Sequence, residues 1–135
     1  METRKVDKDI VVFYVNAASF PDGVLAAHQQ LHSMVPFSRE RKYFGVSRPD
    51  DGIIRYKAAA EELTPNEGAS LGCETLVLRK GDYYSITIVN FMKNVSAIGE
   101  AFQQILELED IDQEGYCVEW YYNDNDVHCM VRKAD

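Results

Sequence analysis

Two stretches of the chain, Val12-Phe-Tyr-Val-Asn16 and Ile86-Thr-Ile-Val-Asn90, become aligned when the sequence is shifted against itself by 74 residues. They share Val and Asn at their last two positions and are rich in β-branched residues. The same shift, without a gap, places Gly23–His32 on Ala97–Leu106, where one Ala and two successive Gln are identical. This agreement indicates an internal duplication.

A tight turn follows in each copy. At the same shift Pro49-Asp-Asp-Gly52 lies on Asn123-Asp-Asn-Asp126, and each turn separates two runs rich in β-branched and aromatic residues. Each copy therefore predicts a strand, a helix and a hairpin. The predicted elements are extended chain at 9–20, 42–47 and 53–61 with a helix at 21–35, then extended chain at 76–90, bent at Gly81-Asp82, 116–122 and 127–133 with a helix at 95–108.

Two such copies predict the fold class, because each helix and each sheet has an apolar face to bury. We predict an α+β fold in which an antiparallel sheet is built from two pseudo-symmetric strand–helix–strand–strand repeats. The helices are expected on one face and a ligand cleft on the other. A chain of 135 residues has the size of one domain, and we place repeat 1 at about 9–61, a linker at 62–74 and repeat 2 at about 75–134.

The charge and the cysteines exclude several functional classes. Fourteen Lys and Arg against 22 Asp and Glu give a net charge of −8, which argues against a nucleic-acid partner. Three cysteines without a C-x-x-C pair indicate neither a disulfide framework nor a thiolate zinc site. The uncharged stretch Ile10–Pro21 is too short to span a membrane, and no signal peptide is evident, so we expect a cytoplasmic protein that does not bind membranes.

Metal, cofactor and nucleophile motifs receive little support from the sequence. His28 and His32 have the i, i+4 spacing of a helical zinc site, but Gln29 replaces the required acid and no third ligand is evident. We therefore predict no metal and no cofactor. Cys117 and Cys129 have acidic neighbours that disfavour a thiolate, so we expect inert thiols and no catalytic residue.

The segment Tyr116–Asn123 carries a carboxylate in the middle of an otherwise apolar and aromatic strand. Alternation puts Glu119 on one face with Cys117 and Tyr121, and Trp120 on the opposite face. A carboxylate among aromatic rings favours a lipophilic cation, since the cation restores the charge balance and the rings attract it. The alternative is a solvent-facing Glu119 paired with a lysine. Further aromatic residues that could line a cleft are Tyr14, Phe44, Tyr56, Tyr83, Tyr84 and Phe91.

Five short motifs lie along this two-copy layout: Ser19-Phe-Pro-Asp-Gly23, Tyr43-Phe-Gly-Val-Ser47, Tyr56-x-Ala58, Gly81-Asp-Tyr-Tyr84 and Val118-Glu-Trp-Tyr121. Together, over about residues 9–134, they resemble the gyrase-inhibitory-protein-like effector-binding domains. Such domains form the drug-sensing halves of bacterial AraC-type and MerR-type regulators and also stand alone, including among integron-associated effector-binding proteins.

The resemblance implies a ligand pocket. In that family a Glu within a Glu-x-Tyr pattern on the penultimate strand lies at the base of an aromatic pocket, and Glu119 and Tyr121 match the pattern. The ligand-binding residues expected here are Glu119, Tyr121, Trp120, Tyr56, Tyr14, Phe44 and Tyr84. Only about ten residues precede the first predicted strand, too few for a helix-turn-helix, so direct DNA binding is not expected.

Three functions follow from these observations. The first is a stand-alone bacterial module that binds a hydrophobic, cationic small molecule and is linked to transcription regulation or drug response. The second is a protein-interaction module in which the acidic run Glu107–Glu114 contacts a partner such as DNA gyrase or a separately encoded regulator. A homodimer is also considered. The third is a hydrolase that uses Glu119 with Tyr121 as an acid–base pair.

Overall fold

The computed structural model describes all residues from 1 to 135 and contains eight β-strands, three α-helices and one short 3-10 helix. The long helices correspond to the two helices predicted from the sequence. The elements are β1 (Glu2–Val6), β2 (Ile10–Asn16), α1 (Val24–Met34), β3 (Tyr43–Asp50), β4 (Ile53–Glu61), α2 (Glu67–Ser70), β5 (Glu74–Leu78), β6 (Gly81–Ile88), the 3-10 helix (Phe91–Lys93), α3 (Ser96–Leu106), β7 (Cys117–Trp120) and β8 (Val127–Arg132).

The chain forms two compact units. The N-terminal unit is Ile10–Leu78, and the C-terminal unit combines Met1–Asp9 with Arg79–Asp135. Strand order is β3-β4-β2-β5 in the N-terminal unit and β1-β6-β8-β7 in the C-terminal unit, with every adjacent pair antiparallel. One long helix packs on the strands of each unit, which confirms the antiparallel α+β class.

In the N-terminal unit α1 packs on one face of the sheet, called here its helix-bearing face. Ala27 and Leu31 of α1 bury against Phe13, Ala58 and Ala60. The small alanines let the helix lie close to the strands. The short helix α2 also lies close to the sheet, and this close approach requires a glycine. A Cβ at Gly68 would lie only 2.5 Å from the Cβ of Phe13.

In the C-terminal unit α3 covers the corresponding face. Ala101 packs with Val127 and Cys129, and Ile105 packs with Val131. All six residues of β8 are buried, which makes β8 the best-shielded strand of this sheet. None of the helices has the length and apolar character needed to cross a membrane.

The edge strands differ from the sequence prediction. The chain at 76–90 was expected to be one strand; instead β5 pairs with β2 in the N-terminal unit and β6 belongs to the C-terminal unit. The first residues, for which no strand was predicted, form β1 and pair with β6, and the predicted linker at 62–74 contains α2. β1 has the polar sequence ETRKV, so its partner some eighty residues away, and not its own pattern, makes it a strand.

The two units share a pairing pattern, but one offset does not describe it. Tyr43 pairs with Ala60 in the N-terminal unit, and Cys117 pairs with Val131 in the C-terminal unit. Tyr43 and Cys117 lie 74 positions apart in the sequence, whereas Ala60 and Val131 lie 71 positions apart. Those partners also pair with Phe13 and Tyr84, again 71 apart. The alignment of 12–16 with 86–90 is therefore wrong by three residues, since the second hairpin is shorter and the second strand-to-helix connection is longer.

Candidate functional site

Glu119 lies in β7 and is buried, with a residue exposure of 7%. It pairs with Cys129 of β8, and Cys117 pairs with Val131, so all four residues share the face covered by α3. This is the alternation predicted from the sequence. The burial excludes the alternative of a solvent-facing Glu119. The two-copy pattern predicts a ligand cleft on the face without helices, whereas the Glu119 carboxylate lies on the helix-bearing face.

One aromatic side chain bonds the carboxylate within the C-terminal unit, and a second packs on the first. Tyr121, two residues later, donates a hydrogen bond from its hydroxyl to Glu119 Oε1. The ring of Phe91, from the 3-10 helix before α3, lies 5.3 Å from the Tyr121 ring, centroid to centroid. Backbone bonds hold Phe91 in place: its N–H donates to Asn125 O at 3.0 Å, and the neighbouring Asn90 N–H donates to Asp126 Oδ1 at 3.0 Å. The Phe91 ring is thus held in place beside Tyr121.

The two cysteines beside Glu119 are poor nucleophiles. Burial, and then the nearby Glu119 carboxylate, raise the pKa of the Cys117 thiol to about 11 and that of Cys129 to about 12. Both thiols are therefore protonated at neutral pH, in agreement with the inert thiols that their acidic neighbours predict. Their unreactive, apolar character contributes to the dry surroundings of the carboxylate.

Two other predicted site residues of the C-terminal unit lie elsewhere. Tyr84 is on the helix-bearing face, but its hydroxyl donates to both carboxylate oxygens of Asp110 at 2.6 Å, and Lys133 Nζ lies 4.4 Å from its ring centroid. Trp120 points to the opposite face, where its ring contacts His128 at 5.3 Å and Tyr122 at 6.0 Å. The structure brings Glu119 and Tyr121 together and separates Trp120 from them.

The N-terminal unit presents a second aromatic and polar cluster on its own helix-bearing face. The Tyr56 hydroxyl lies 2.8 Å from His28 Nε2, and the ring of Phe20 stacks on Tyr56 at 5.9 Å. Burial, and then the positive form of His32, lower the pKa of His28 to about 4, so its imidazole is neutral. Sequence reasoning selected Tyr56 but missed Phe20 and His28. The predicted place of His28 on the packed side of the helix is the sequence signal that indicates its contact with the sheet.

Tyr14 and Phe44 lie on the other face of the N-terminal sheet, because their pairing partner in β4 is Ala59 and not the helix-facing Ala58 and Ala60. Phe44 is buried. The Tyr14 hydroxyl donates to Glu74 Oε2 at 2.8 Å, and Lys57 Nζ lies 5.0 Å from its ring centroid.

No group of three or more His, Cys, Asp or Glu side chains that could hold a metal ion occurs in the structure. His32 packs with aromatic rings, at 5.0 Å from Tyr43 and 6.4 Å from Phe37. Both helical histidines are thus accounted for by contacts with aromatic side chains.

Comparison with known proteins identifies the fold. An integron cassette protein from the mobile metagenome of Vibrio cholerae matches with a TM-score of 0.69 over 98% of this chain and 94% of that protein, at 11% sequence identity. The likeness is one of fold. Neither a protein-family model nor a curated protein matches the sequence.

Proposed function

We propose that this protein binds hydrophobic, cationic small molecules and that the Glu119 carboxylate is the counter-charge. The observation that carries the proposal is the burial of an acidic side chain in an apolar strand pair, with an aromatic hydroxyl bonded to it. A carboxylate removed from water loses hydration that a bound cation replaces. Ring faces such as those of Tyr121 and Phe91 add a cation–π attraction of about 0.5–2 kcal/mol each.

The resemblance to gyrase-inhibitory-protein-like domains and the fold shared with an integron cassette protein both support this proposal. We place the protein in the bacterial cytoplasm as an effector-binding protein, of the kind that reports a drug to a regulator. The ligand contacts we assign with most support are those of Glu119 and Tyr121. Tyr56, with His28 and Phe20, is a further ligand-binding candidate in the N-terminal unit.

The test is Glu119→Gln, measured by calorimetry with benzyltrimethylammonium and with neopentylbenzene, its neutral carbon isostere. Glutamine keeps the shape and most of the hydrogen bonding but removes the charge. We expect the variant to bind the cation at least about tenfold more weakly, because a charge-assisted interaction is worth about 1.5–3 kcal/mol, and to bind the neutral isostere within about twofold of wild type.

Glu109→Gln is the matched control, since Glu109 is exposed and its substitution changes the net charge equally. We expect it to leave both affinities unchanged. Equal weakening of both ligands by Glu119→Gln, or an equal loss of cation affinity in Glu109→Gln, would contradict the assignment of Glu119 as the counter-charge.

Other observations bear on the protein-interaction alternative. Within the acidic run, Asp112 Oδ2 accepts from Arg132 at 3.2 Å and from Arg79 at 3.4 Å, and Asp110 accepts from Tyr84. These carboxylates bind side chains of the same unit, which reduces the charge available for a partner. We therefore rank this alternative below ligand binding.

One observation favours a second function, hydrolysis. The Tyr121–Glu119 hydrogen bond joins a hydroxyl to a carboxylate in the arrangement that general acid–base catalysis needs. A hydrolase would turn over a hydrophobic aryl ester at a rate that Glu119→Gln lowers by about 10²-fold or more. If the wild-type protein hydrolyses the ester no faster than the Glu119→Gln variant does, ligand binding is the sole function of the Glu119–Tyr121 pair.

A further inference from the structure

The face of the C-terminal sheet opposite α3 carries aromatic and polar side chains that the proposed Glu119 site does not use. Trp120 of β7 pairs with His128 of β8, and His128 also pairs with Thr87 of β6, so these side chains share one face. Tyr122 stacks on His128 with 3.8 Å between the ring centroids and 6° between the ring planes, and the Trp120 ring lies 5.3 Å from the same imidazole. Tyr122 is 37% exposed, so this aromatic cluster of Trp120, Tyr122 and His128 reaches the surface.

Arg4 of β1 brings a guanidinium to this cluster. Its backbone pairs with Tyr83, but its Nη2 lies 3.5 Å from Nδ1 of His128, which pairs with Thr87. Alternation puts Tyr83, Ser85 and Thr87 on the same face of β6. The Arg4 side chain therefore crosses β6 diagonally and passes over Ser85, which lies midway between the other two residues.

Two buried polar atoms at this crossing have no hydrogen-bond partner in the protein. The structure has three buried side-chain nitrogen or oxygen atoms of this kind, and two of them are Nε of Arg4 and Oγ of Ser85. Ser85 is 1% exposed. A guanidinium N–H can only donate, and a buried donor without an acceptor is unfavourable. The two atoms therefore indicate a ligand that brings an acceptor to this face.

A carboxylate is the acceptor that suits Arg4. Nε and Nη2 project from one edge of the planar guanidinium, and two such N–H groups bind the two oxygens of a carboxylate side by side. In the protein alone Nη2 lies 3.3 Å from Glu2 Oε2, and the Glu2 side chain is 70% exposed. An exposed ion pair of this kind contributes little stability, so the carboxylate of a ligand can replace that of Glu2. The nearby Asp126 carboxylate accepts from Asn90 N–H and from Asn123 Nδ2, at 3.0 Å each, and not from Arg4.

We propose that this face binds an aromatic carboxylate. The carboxylate accepts from Nε and Nη2 of Arg4 and from the Ser85 hydroxyl, and the aromatic ring packs on Tyr122 and Trp120. The stack of Tyr122 on His128 holds the exposed ring in one orientation, which favours a planar ligand. This ligand has the opposite charge to the cation proposed for Glu119 and lies on the opposite face of the sheet, so the inference does not rest on the proposed function.

The single tryptophan of the chain reports binding directly, because its indole N–H gives one nuclear magnetic resonance signal. The full chain is titrated with benzoate, and separately with its neutral counterpart benzamide, at constant ionic strength. We expect benzoate to move the Trp120 signal saturably with a dissociation constant of about 0.2–5 mM, because a ligand of this size makes few contacts. Benzamide should bind at least about fivefold more weakly, since it lacks the charge that strengthens the bonds to Arg4.

Three substitutions test the donors. Arg4→Gln should raise the dissociation constant of benzoate at least about fivefold, and Arg4→Lys, which keeps the charge but loses the paired N–H groups, at least about threefold. Ser85→Ala should raise it at least about threefold without lowering the melting temperature of the ligand-free protein, because the hydroxyl has no partner to lose. The matched control is Arg55→Gln, which removes the same charge from an arginine that is also in an exposed ion pair, with Asp50 at 3.6 Å, and should change the affinity by less than about twofold.

Glu119→Gln separates this inference from the proposed function, because it should leave the benzoate affinity within about twofold of wild type. Unchanged amide signals of residues 81–88 in the Arg4 variants show that β1 still pairs with β6. Four outcomes would each overturn the proposal. They are a Trp120 signal that benzoate does not move, equal affinities for benzoate and benzamide, unchanged benzoate affinity in Arg4→Gln or Ser85→Ala, and an equal loss in Arg55→Gln.

Discussion

At the scale of single residues, two histidines are held neutral by their surroundings. Burial lowers the pKa of His28 to about 4 beside Tyr56. In the C-terminal unit His128 Nδ1 lies 2.7 Å from Thr87 Oγ1 and 3.5 Å from Arg4 Nη2, and its ring stacks on Tyr122 at 3.8 Å. Burial, and then the Arg4 charge, lower the pKa of His128 to about 4.

These histidines predict a loss of stability in mild acid. Their pKa is lower in the folded chain than in the unfolded chain, where it is 6.5, so the unfolded chain binds more protons below pH 6.5. The stabilisation is complete above that pH and is lost as the pH falls toward 4. The slope reaches about 1.4 kcal/mol per pH unit for each histidine. Urea unfolding between pH 7 and pH 5 measures it.

A His28→Asn variant is the control for this pH dependence. It should unfold with a smaller slope than wild type between pH 6.5 and 5, because it removes one of the buried groups and leaves His128 and His32, whose pKa burial also lowers. An unchanged slope would show that His28 is not the group that titrates.

A second prediction at this scale concerns the Tyr121–Glu119 hydrogen bond. Tyr121→Phe removes a donor from a buried carboxylate and should lower the free energy of unfolding by about 1–3 kcal/mol. In a Glu119→Gln background, Tyr121→Phe should lower the free energy of unfolding by clearly less, because a neutral amide loses less stabilisation than a carboxylate when the hydroxyl donor is removed.

Tyr122→Phe is the matched control for the Tyr121 substitution, since Tyr122 is 37% exposed. We expect it to change the unfolding free energy by less than about 0.5 kcal/mol. Urea unfolding of the wild type, the two single variants and the double variant measures these free energies. Equal costs of Tyr121→Phe in both backgrounds would mean that the hydroxyl does not act on Glu119.

At the scale of elements, two glycines in helices have opposite surroundings. A Cβ at Gly68 in α2 would lie 2.5 Å from Phe13 Cβ and 3.0 Å from Thr75 Cγ2, whereas a Cβ at Gly99 in α3 would meet no atom within 4 Å. Gly68→Ala should therefore destabilise the protein by about 1–3 kcal/mol through overpacking. Gly99→Ala should stabilise it by about 0.5–1 kcal/mol, because alanine favours a helix.

Thermal unfolding of the two alanine variants, compared with wild type, measures both effects. Each variant is the control for the other, because the chemical change is identical and only the surroundings differ. A shift of the melting temperature in the same direction for both would contradict the role assigned to the contact between α2 and β2.

At the scale of the whole molecule, the N-terminal residues belong to the C-terminal unit. β1 pairs with β6 from Glu2↔Ser85 to Val6↔Gly81, and Lys133 Nζ donates to Thr3 Oγ1 at 2.8 Å. Deleting residues 1–6 should therefore expose β6 and speed hydrogen exchange in 81–88 and 127–132. Exchange in 53–61 of the N-terminal unit should change less. Uniform acceleration over both units would contradict the division.

The local pattern of the sequence determined much of the fold. The turn at 49–52, the strand Ile53–Glu61 and both long helices follow from short-range signals, and the alternation in β7 placed Cys117 and Glu119 on one face. These features depend on residues that are neighbours in the chain. A strand's alternation and a helix's apolar stripe are geometric consequences of the backbone. The sequence by itself therefore determined the duplication and the acidic residue on which the proposed site rests.

Only the tertiary structure decided which strands pair and which face each aromatic residue occupies. Tyr14 and Phe44 were listed with Glu119 as aromatic residues that could line the cleft, but they lie on the sheet face away from α1. The change of offset from 74 to 71 residues and the pairing of β1 with β6 have no local signal either. Register and edge pairing are settled by contacts between residues far apart in sequence, and a slip of one residue moves every side chain to the opposite face. A pattern read along the chain determines that two faces exist, while burial against a distant helix determines which of them surrounds Glu119.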